Sequence, residues 1–519
     1  MSVKITCYDG VGTIGGNKIL LEDEERDTRL FFDFGLPFAR RYRFFEEYLK
    51  PRPGVGLRDP LRLGLLPPLE GIYRTDLILE EDRRFMRRLP WHRKLAVDGV
   101  LLSHAHLDHS GYISFLREDI PIYATAMTAF IAKAIQDTGS SSELEKTGIC
   151  YFSRRKLKGG ILVAGDEPYQ QRPFVFVDDP ARRRSDFWSR SPAASRQITP
   201  CGEDLPSDRI GDLPLVHFPV DHSIFGASAF AVETSAGWVV YTGDLRLHGK
   251  RAHLSEDFIE EARKLQPVAL ICEGTRIDCT DRVSEEEVSV NALRVVKEAQ
   301  GLIVADFAAR NIERLLTFRE IAREVGRKLA ITPADAYLLE AMAQAGSAEV
   351  PDIAEVEDIF VFAEVKSSPR HWEREIRQRY ASQGKLIAAE DIHRSQGEFI
   401  LCFSFFDING LIDIEPEPGS IYIYSSSEAY NEEQALDLFR LRNWLRHFDM
   451  EFVGDPEERR RLHASGHASG PDLLRLVRSI KPKVVIPIHS EKPDHFAAQL
   501  KGEGIEVHLP VMGRPFTLK

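Results

Sequence analysis

The sequence predicts an α/β protein in which a first domain is interrupted by a second, doubly wound α/β domain. Short apolar runs such as Val100–Leu102 and Val239–Tyr241 are followed by residues of the types that bind metals. Between about residues 276 and 420, runs of strand length alternate with helical patterns, which is typical of a parallel sheet covered by helices. The chain has 519 residues, enough for two or three domains with cores of their own.

The densest group of ligand-type side chains follows the apolar run Val100–Leu102. It is the segment His104-Ala-His106-Leu-Asp108-His109. Imidazole and carboxylate groups at the end of a buried strand point into one small volume, which is what the binding of divalent cations requires. Histidines are also ordinary core and surface residues, but four ligand-type side chains in six positions favour a metal site over that alternative.

Further candidate ligands follow distant apolar runs. His222, Asp244 and His489 each lie just after such a run. Loops at strand ends on a rigid sheet are the usual way to bring distant residues together. The complete candidate set is His104, His106, Asp108, His109, His222, Asp244 and His489. Seven ligands of these types suit two cations that share a bridging carboxylate and a water.

The order of these motifs resembles that of the metallo-β-lactamase fold hydrolases. Gly10–Asn17 corresponds to the first hairpin of that family, and Asp33 to its structural aspartate. The resemblance implies an αββα sandwich and a specific division of the ligands. One ion is expected at His104, His106 and His222, the other at Asp108, His109 and His489, with Asp244 as the bridge. Zinc is the expected metal and manganese the alternative.

The segment between Asp244 and His489 is longer than this fold needs. An insertion at this position resembles the β-CASP domain of nucleases such as ribonuclease J. Glu273 matches the first β-CASP motif, His467 the second and His489 the third. The implied organisation is a metallo-β-lactamase domain at 1–275 with an insertion at about 36–96, a β-CASP domain at 276–420, and a C-terminal part at 421–519 that completes the first domain.

The resemblance also implies a metal-dependent nuclease in which a water activated by two ions attacks the scissile phosphate. Asp108 is expected to orient that water, and His467, beside Glu273, to protonate the departing oxygen. Small and hydroxyl residues surround His467 before a helical pattern, so Ser465 and Ser469 are candidate phosphate contacts. The alternative is that this run only forms a turn and a helix cap.

RNA is the expected substrate, because RNA-processing members of this family have a histidine at the third motif and DNA-processing members have a valine. The formal net charge of −12 would repel a polyanion as a whole, so binding needs local basic stretches. Arginines alternate with aromatic residues in Arg40–Phe45, Arg83–Arg88 and Arg182–Arg190. Such stretches suit a channel for a single strand, and a solvated surface is the alternative.

Other functions stay open at this point. They are a DNA nuclease of the same fold, a hydrolase of a small thioester, lactone or phosphodiester, and an RNA-processing partner without catalysis. Endonuclease and 5′-exonuclease action both fit the motifs. The proline-rich segment 36–96 has no counterpart in the family and suggests a lid or a homodimer contact. Because the sequence ends at Lys519, soon after His489, we expect no counterpart of the additional C-terminal domain of ribonuclease J.

The remaining composition indicates a cytoplasmic protein that does not enter a membrane. The six cysteines lack the paired spacings of zinc fingers and redox motifs. No apolar run approaches the ~20 residues of a membrane span, and the first residues show no signal-peptide pattern.

Overall fold

In the computed structural model, the chain divides into two compact units. The first contains Met1–Leu247, Arg251–Thr280 and His467–Lys519, and the second contains His248–Lys250 and Asp281–Gly466. The residues that the structure describes are 2–46, 48–139, 142–202, 205–427, 432–456 and 460–518.

The first long segment of the first unit contains strands and short helices in the following order. They are β1 (Val3–Asp9), β2 (Lys18–Asp23), β3 (Thr28–Phe32), α1 (Phe38–Arg41), α2 (Arg58–Arg62), β4 (Leu69–Glu70), α3 (Glu80–Met86), β5 (Arg93–Lys94), β6 (Gly99–Leu101), α4 (Leu107–Ser110), β7 (Ile122–Ala124), α5 (Ala126–Thr138), β8 (Tyr151–Phe152), β9 (Arg155–Lys158), β10 (Ile161–Ala164), β11 (Tyr169–Gln171), β12 (Phe174–Phe176), α6 (Asp186–Ser189), β13 (Ile198–Thr199), β14 (Arg209–Ile210), β15 (Leu213–Pro219), β16 (Ser228–Thr234), β17 (Gly237–Tyr241), α7 (Ala252–Lys264) and β18 (Ala269–Glu273).

The second unit follows, and the chain then returns to the first. The elements of the second unit are α8 (Glu285–Glu298), β19 (Ile303–Asp306), α9 (Ile312–Glu324), β20 (Lys328–Ile331), α10 (Pro333–Gln344), β21 (Ile359–Phe362), α11 (His371–Ser382), β22 (Leu386–Ile387), α12 (Ala389–Arg394), β23 (Phe399–Cys402), α13 (Gly410–Ile414), β24 (Ile421–Tyr424), α14 (Glu432–His447) and β25 (Glu451–Val453). The final segment contains α15 (Gly470–Ile480), β26 (Val484–Ile488), α16 (Asp494–Gln499), β27 (Glu506–Val507) and β28 (Phe516–Leu518).

Two sheets form the framework of the first unit, with strand orders β12-β7-β6-β3-β2-β1-β28 and β14-β15-β16-β17-β18-β26-β27. The residues of β18 are all buried, and alternate side chains point to opposite faces of its sheet. Ala269 and Ile271 join the core between the two sheets, whereas Leu270 and Cys272 join the core under the helices on the outer face. A strand covered on both faces needs an apolar residue at nearly every position, which explains the continuous apolar runs.

Helices cover the outer faces of both sheets. Phe258 of α7 and Leu473 of α15 pack on the second sheet. On the first sheet, the ring of Phe130 in α5 lies 5.9 Å from the ring of Phe176 in β12. These layers confirm the predicted αββα sandwich. Within the described part of the chain, no helix is both long and apolar enough to cross a membrane.

The second unit contains a parallel sheet with the strand order β22-β21-β20-β23-β19-β24-β25. Its successive strands are connected by helices, as the alternating pattern between residues 276 and 420 predicts. Buried side chains such as Val304 and Leu401 form its core together with Leu411 from α13 and Leu441 from α14.

The second unit continues past residue 420, where the sequence places the end of the inserted domain. It extends to Gly466, because β24 pairs with β19 and β25 pairs with β24 in the same sheet. The apolar run Ile421–Tyr424 predicts a strand, but it does not show which sheet that strand joins. The choice is made by side-chain packing in three dimensions.

Candidate metal centre

Strand ends bring the predicted ligands together in the first unit. In the first sheet, the segment that begins with His104 follows β6. In the second sheet, β17, β18 and β26 are parallel neighbours. Parallel neighbours end at the same edge, so Asp244, Glu273 and His489 come together there.

Three imidazoles form the first ligand group. Nε2 of His104 lies 3.0 Å from Nδ1 of His106, and Nε2 of His222 lies 3.2 Å from the same Nδ1. Donors around a tetrahedral zinc ion with bonds of about 2.0–2.1 Å would be about 3.3 Å apart, so the spacing fits such an ion. Burial and the neighbouring imidazoles hold the pKa of His104 well below its usual value, which leaves its ring neutral and able to coordinate.

Asp108, His109 and His489 form the second ligand group. Oδ2 of Asp108 lies 3.3 Å from Nε2 of His489 and 3.8 Å from Nε2 of His109. Burial raises the pKa of Asp108, but the nearby His109 and His489 outweigh burial and lower it below its usual range. The carboxylate is therefore ionised and available to a cation.

Asp244 contacts both groups. Its Oδ2 lies 3.0 Å from Nε2 of His109, 3.6 Å from Nε2 of His489 and 3.8 Å from Nε2 of His104. Its Oδ1 is buried and has no hydrogen-bond partner among the described residues. Buried acceptors are seldom left unsatisfied, and a bound cation would satisfy this one. The donors, imidazole nitrogens and carboxylate oxygens, are those of a site for a divalent metal ion, and zinc fits them.

Asp33 orients part of this site without being a member of either ligand group. Its Oδ2 accepts hydrogen bonds from Nδ1 of His109 at 2.7 Å, from the hydroxyl of Ser103 at 2.8 Å and from the hydroxyl of Tyr241 at 2.5 Å. Thr275 contacts His489 in a similar way, with Oγ1 2.8 Å from Nδ1. Such partners fix the ring orientation and the tautomer of a coordinating histidine.

Glycines allow the close approach of the loop that carries Asp108. A Cβ added to Gly35 would overlap the main-chain carbonyl of Asp108, and one added to Gly15 would lie 2.7 Å from its Oδ2. The amide of Gly16 donates to the carbonyl of Asp108 at 2.9 Å. The glycine-rich Gly10–Asn17 segment therefore directly supports the candidate ligand Asp108.

His467 lies beside the ligands and faces Glu273. Its Nδ1 is 3.2 Å from Oε2 of Glu273 and 3.9 Å from Oδ2 of Asp244. Glu273 is fully buried, and its Oε1 accepts a hydrogen bond from the amide of Leu245 at 3.0 Å. Burial lowers the pKa of His467, but the charges of Glu273, Asp244 and Asp108 outweigh burial and raise it to about 9. A protonated imidazole at neutral pH is suited to donate a proton.

The two predicted phosphate contacts lie in different surroundings. Ser469 is buried, and its hydroxyl caps α15 by accepting from the amide of Asp472 while donating to Oδ2 of that residue. Ser465 belongs to the second unit, where its carbonyl lies 3.0 Å from Nε2 of His248. A phosphate contact by either serine stays a prediction.

One of the predicted stacking surfaces is wrong. Phe187 and Trp188 are each only 3% exposed, and their rings lie 5.4 Å and 5.7 Å from that of Phe130 in the core. Arg41 is also buried and pairs with Glu143 and Glu145. An alternation of arginine and aromatic residues does not reveal which side chains the core will take up.

The motifs in the sequence do not predict the supporting roles of Ser103, Tyr241 and Thr275. Ser103 directly precedes the first ligand, and Tyr241 ends the strand before Asp244, so both positions carry a weak signal. The contact between Thr275 and His489 joins residues far apart in the chain, and no local pattern indicates it.

Comparison with known proteins adds independent findings. Residues 457–510, which include His467 and His489, match the family described as "Zn-dependent metallo-hydrolase RNA specificity domain". A crystal structure of a protein of unknown function from Enterococcus faecalis V583 has a similar fold. It has a TM-score of 0.67 and 22% sequence identity and covers 100% of both chains.

Curated relatives carry the name ribonuclease J. The protein from Mycolicibacterium smegmatis is 25% identical over 495 residues, which is 94% of this chain and 68% of that relative. The protein from Helicobacter pylori is 21% identical over 497 residues, which is 94% of this chain and 56% of the relative. The protein from Thermus thermophilus is 25% identical over 503 residues, which is 94% of this chain and 68% of the relative. This chain thus corresponds to only part of the length of each relative. The chain is thus similar to proteins named ribonuclease J over 94% of its length, and its fold is that of the metallo-β-lactamase sandwich with an inserted β-CASP-like α/β unit.

Proposed function

We propose that the protein is a metal-dependent ribonuclease that hydrolyses phosphodiester bonds of single-stranded RNA. The observation that carries the proposal is the convergence of two ligand groups on Asp244, with His467 3.9 Å from that carboxylate. The match to an RNA specificity domain and the names of the relatives support RNA as the substrate. The histidine at position 489 agrees with RNA rather than DNA, by resemblance to the family.

The residues divide the chemistry among them. His104, His106 and His222 would hold one ion, Asp108, His109 and His489 a second, and Asp244 would bridge them. When bound, two divalent ions lower the pKa of a shared water and stabilise the charge on the scissile phosphate. Asp108 would accept a hydrogen bond from the attacking water and orient it for in-line attack. The new bond joins the water oxygen to phosphorus, and the bond to the departing sugar oxygen breaks.

His467 is proposed to give a proton to the departing oxygen. Glu273 holds Nδ1 of the ring and keeps the imidazole charged, with Oε1 and Oε2 at 3.3 Å and 3.2 Å. Burial of Glu273 excludes water from this contact and strengthens it. Glu273 is thus a positioning residue, whereas His467 acts on the reacting atoms.

The test is cleavage of matched RNAs by the metal-loaded protein. Substrates are a 5′-monophosphorylated, a 5′-triphosphorylated and a circular RNA of one sequence, the corresponding single-stranded DNA, bis(p-nitrophenyl) phosphate and a thioester. We expect RNA to be cleaved best, and cleavage of the circle would assign endonuclease action. Removal of metal by a chelator should abolish cleavage, and added zinc or manganese should restore it.

Variants distinguish hydrolysis at the candidate site from hydrolysis by contaminating nucleases. Asp108→Ala should abolish hydrolysis. Asp119→Ala, which removes an exposed carboxylate paired with Arg117, should leave hydrolysis unchanged. A preference for the thioester, or full activity in the Asp108→Ala protein, would contradict the proposal.

The expected cellular setting and assembly belong to the same proposal. The cysteines are free, which agrees with a reducing cytoplasm. A homodimer stays an expectation, and sedimentation equilibrium of the metal-loaded protein tests it.

A further inference from the structure

A cavity of about 270 Å³ lies at the carboxyl ends of three adjacent strands in the second unit. Its walls come from the segments after β19, β23 and β24 and from α14. After β19 the chain continues to β20 on one side of the cavity, and after β24 it continues to β25 on the other side. Crevices where the direction of winding reverses are the usual ligand sites of open parallel sheets.

Aromatic side chains line the cavity, and one of them is strongly exposed. Phe307, Phe405, Phe406 and Tyr424 contribute to its walls. Phe406 is 81% exposed, and its ring is 5.5 Å from that of Phe405. Leaving a phenylalanine in water sacrifices the free energy that its burial would contribute. An exposed aromatic face at the mouth of a cavity is typical of a surface that stacks on a ligand ring.

A carboxyl group lies in the wall of the same cavity. Asp306, at the end of β19, is 5% exposed. Its Oδ2 accepts a hydrogen bond from the hydroxyl of Tyr422 at 2.6 Å. Burial raises the pKa of Asp306 to about 7, so at pH 8 the group is mostly a charged acceptor. An acceptor at the wall requires a donor on the ligand.

The volume and the lining together select the ligand. At about 270 Å³, the cavity is smaller than the ~300–1,000 Å³ of pockets for drug-sized ligands, so it accommodates a single ring system. Aromatic faces bind nucleobases by stacking, and an aspartate accepts the exocyclic amine of cytosine. We propose that this cavity binds one nucleobase of single-stranded RNA, with the base stacked on Phe406 and its amine donating to Asp306.

This inference rests on the proposed action on RNA, and it adds a base preference to it. Uracil presents a carbonyl oxygen where cytosine presents the amine, so it cannot donate to Asp306. We therefore expect cytidine-rich RNA to bind more tightly than uridine-rich RNA at pH 8. The phosphate backbone is the same in both, so the difference reports on the base alone.

The experiment measures binding of fluorescent phosphorothioate oligoribonucleotides to the metal-loaded protein by anisotropy at pH 8. Phe406→Ala should weaken binding of both oligocytidine and oligouridine by roughly 5- to 100-fold, the range expected for the loss of one stacked base. Asp306→Asn should reverse the preference, because the amide oxygen can accept from Tyr422 while its NH₂ group faces the cavity and suits the uracil carbonyl.

Two variants serve as matched controls. Phe439→Ala removes another exposed phenylalanine, 57% exposed on α14, that does not line the cavity. Asp335→Asn changes a partly buried carboxyl of the same unit, whose pKa is also raised to about 7. Both should leave affinity and base preference unchanged. Free CMP is then added as a competitor. If the cavity binds a free nucleotide, CMP should displace the oligonucleotide at a similar concentration. If the cavity binds a base within RNA, CMP should not displace it at that concentration.

The outcomes separate this inference from the proposed function. If the wild-type protein hydrolyses RNA but Phe406→Ala binds oligonucleotides normally and Asp306→Asn keeps the cytidine preference, the nucleobase site is wrong. If the variants change binding as expected but no RNA is cleaved, the proposed ribonuclease activity is wrong. Phe406 is on the surface, so its replacement reports on binding even if Asp306→Asn fails to fold.

Discussion

Asp33 accepts a hydrogen bond from Nδ1 of His109 at 2.7 Å, so that Nε2 of the same ring faces Asp244 at 3.0 Å. One buried carboxylate outside the ligand groups therefore determines which nitrogen of His109 is offered to a metal ion. It also binds Ser103, which directly precedes the His104 ligand.

Replacing Asp33 by asparagine should weaken metal binding more than folding. An amide is a poorer acceptor than a carboxylate, so the His109 ring loses its fixed tautomer and part of its basicity. We expect metal affinity to fall by about 10- to 100-fold, measured by competition with a chelator. Asp119→Asn is the control. The side chain of Asp119 is exposed, and within the described part of the chain it pairs only with Arg117. Equal metal retention in the Asp33→Asn protein and the wild-type protein would show that the contact does not tune the site.

Replacing Gly35 by alanine should displace Asp108. The added methyl would overlap the main-chain carbonyl of Asp108, and neither backbone can yield without moving the loop between β6 and α4. We expect loss of metal from the second ligand group and loss of hydrolysis, measured by metal analysis and RNA cleavage. Gly202→Ala is the control, since an added Cβ there meets none of the described residues within 4 Å. Normal metal content in the Gly35→Ala protein would contradict the packing described here.

Replacing His467 by alanine should slow the chemical step without removing metal. The loss of a general acid costs about 10²- to 10⁴-fold in kcat. Glu273→Gln should act in the same direction with a smaller effect, because it removes the charge that holds the proton on His467. The measurement is single-turnover cleavage of RNA beside metal analysis.

The leaving group provides an internal control for His467. A p-nitrophenolate departs without receiving a proton, so bis(p-nitrophenyl) phosphate should be hydrolysed by the His467→Ala protein at nearly the wild-type rate. An equal loss of activity on RNA and on this ester would indicate a structural effect and would reject the role in protonation.

Asp306 should make the stability of the second unit depend on pH. Burial raises its pKa to about 7, Asp407 acts in the same direction, and the hydrogen bond from Tyr422 opposes both. An unfolded aspartate ionises near pH 3.9, so this group favours the folded state fully below about pH 4 and loses that contribution as the pH rises through about 7. Asp306→Asn should therefore reduce the loss of stability between pH 5 and pH 8, by an amount on the order of a few kcal/mol.

Hydrogen exchange of peptides from the second unit, followed in urea at both pH values, measures this effect. Asp257→Asn, a change to a carboxylate on the exposed side of α7, is the control and should leave the pH dependence unaltered. The prediction fails if the Asp306→Asn protein and the wild-type protein lose the same stability between the two pH values.

The sequence by itself indicated the residues of the candidate metal centre and determined the class of the fold. His104 to His109 are adjacent in the chain, and the distant candidates Asp244 and His489 each follow a buried strand. The order of residues along the chain is sufficient to predict these positions, because the residues that follow a strand must lie at the sheet edge where that strand ends. The alternation of strands and helices likewise predicted the parallel sheet of the second unit.

Only the tertiary structure decided which side chains support that centre and where the second unit ends. The contacts of Asp33 with Tyr241 and of Thr275 with His489 join residues about 200 positions apart, and no local pattern encodes such pairs. Packing placed Phe187 and Trp188 in the core although their arginine neighbours suggested a surface. It also placed β24 and β25 in the sheet of the second unit. Burial and strand pairing depend on the whole set of competing partners, so they are settled only when the chain has folded.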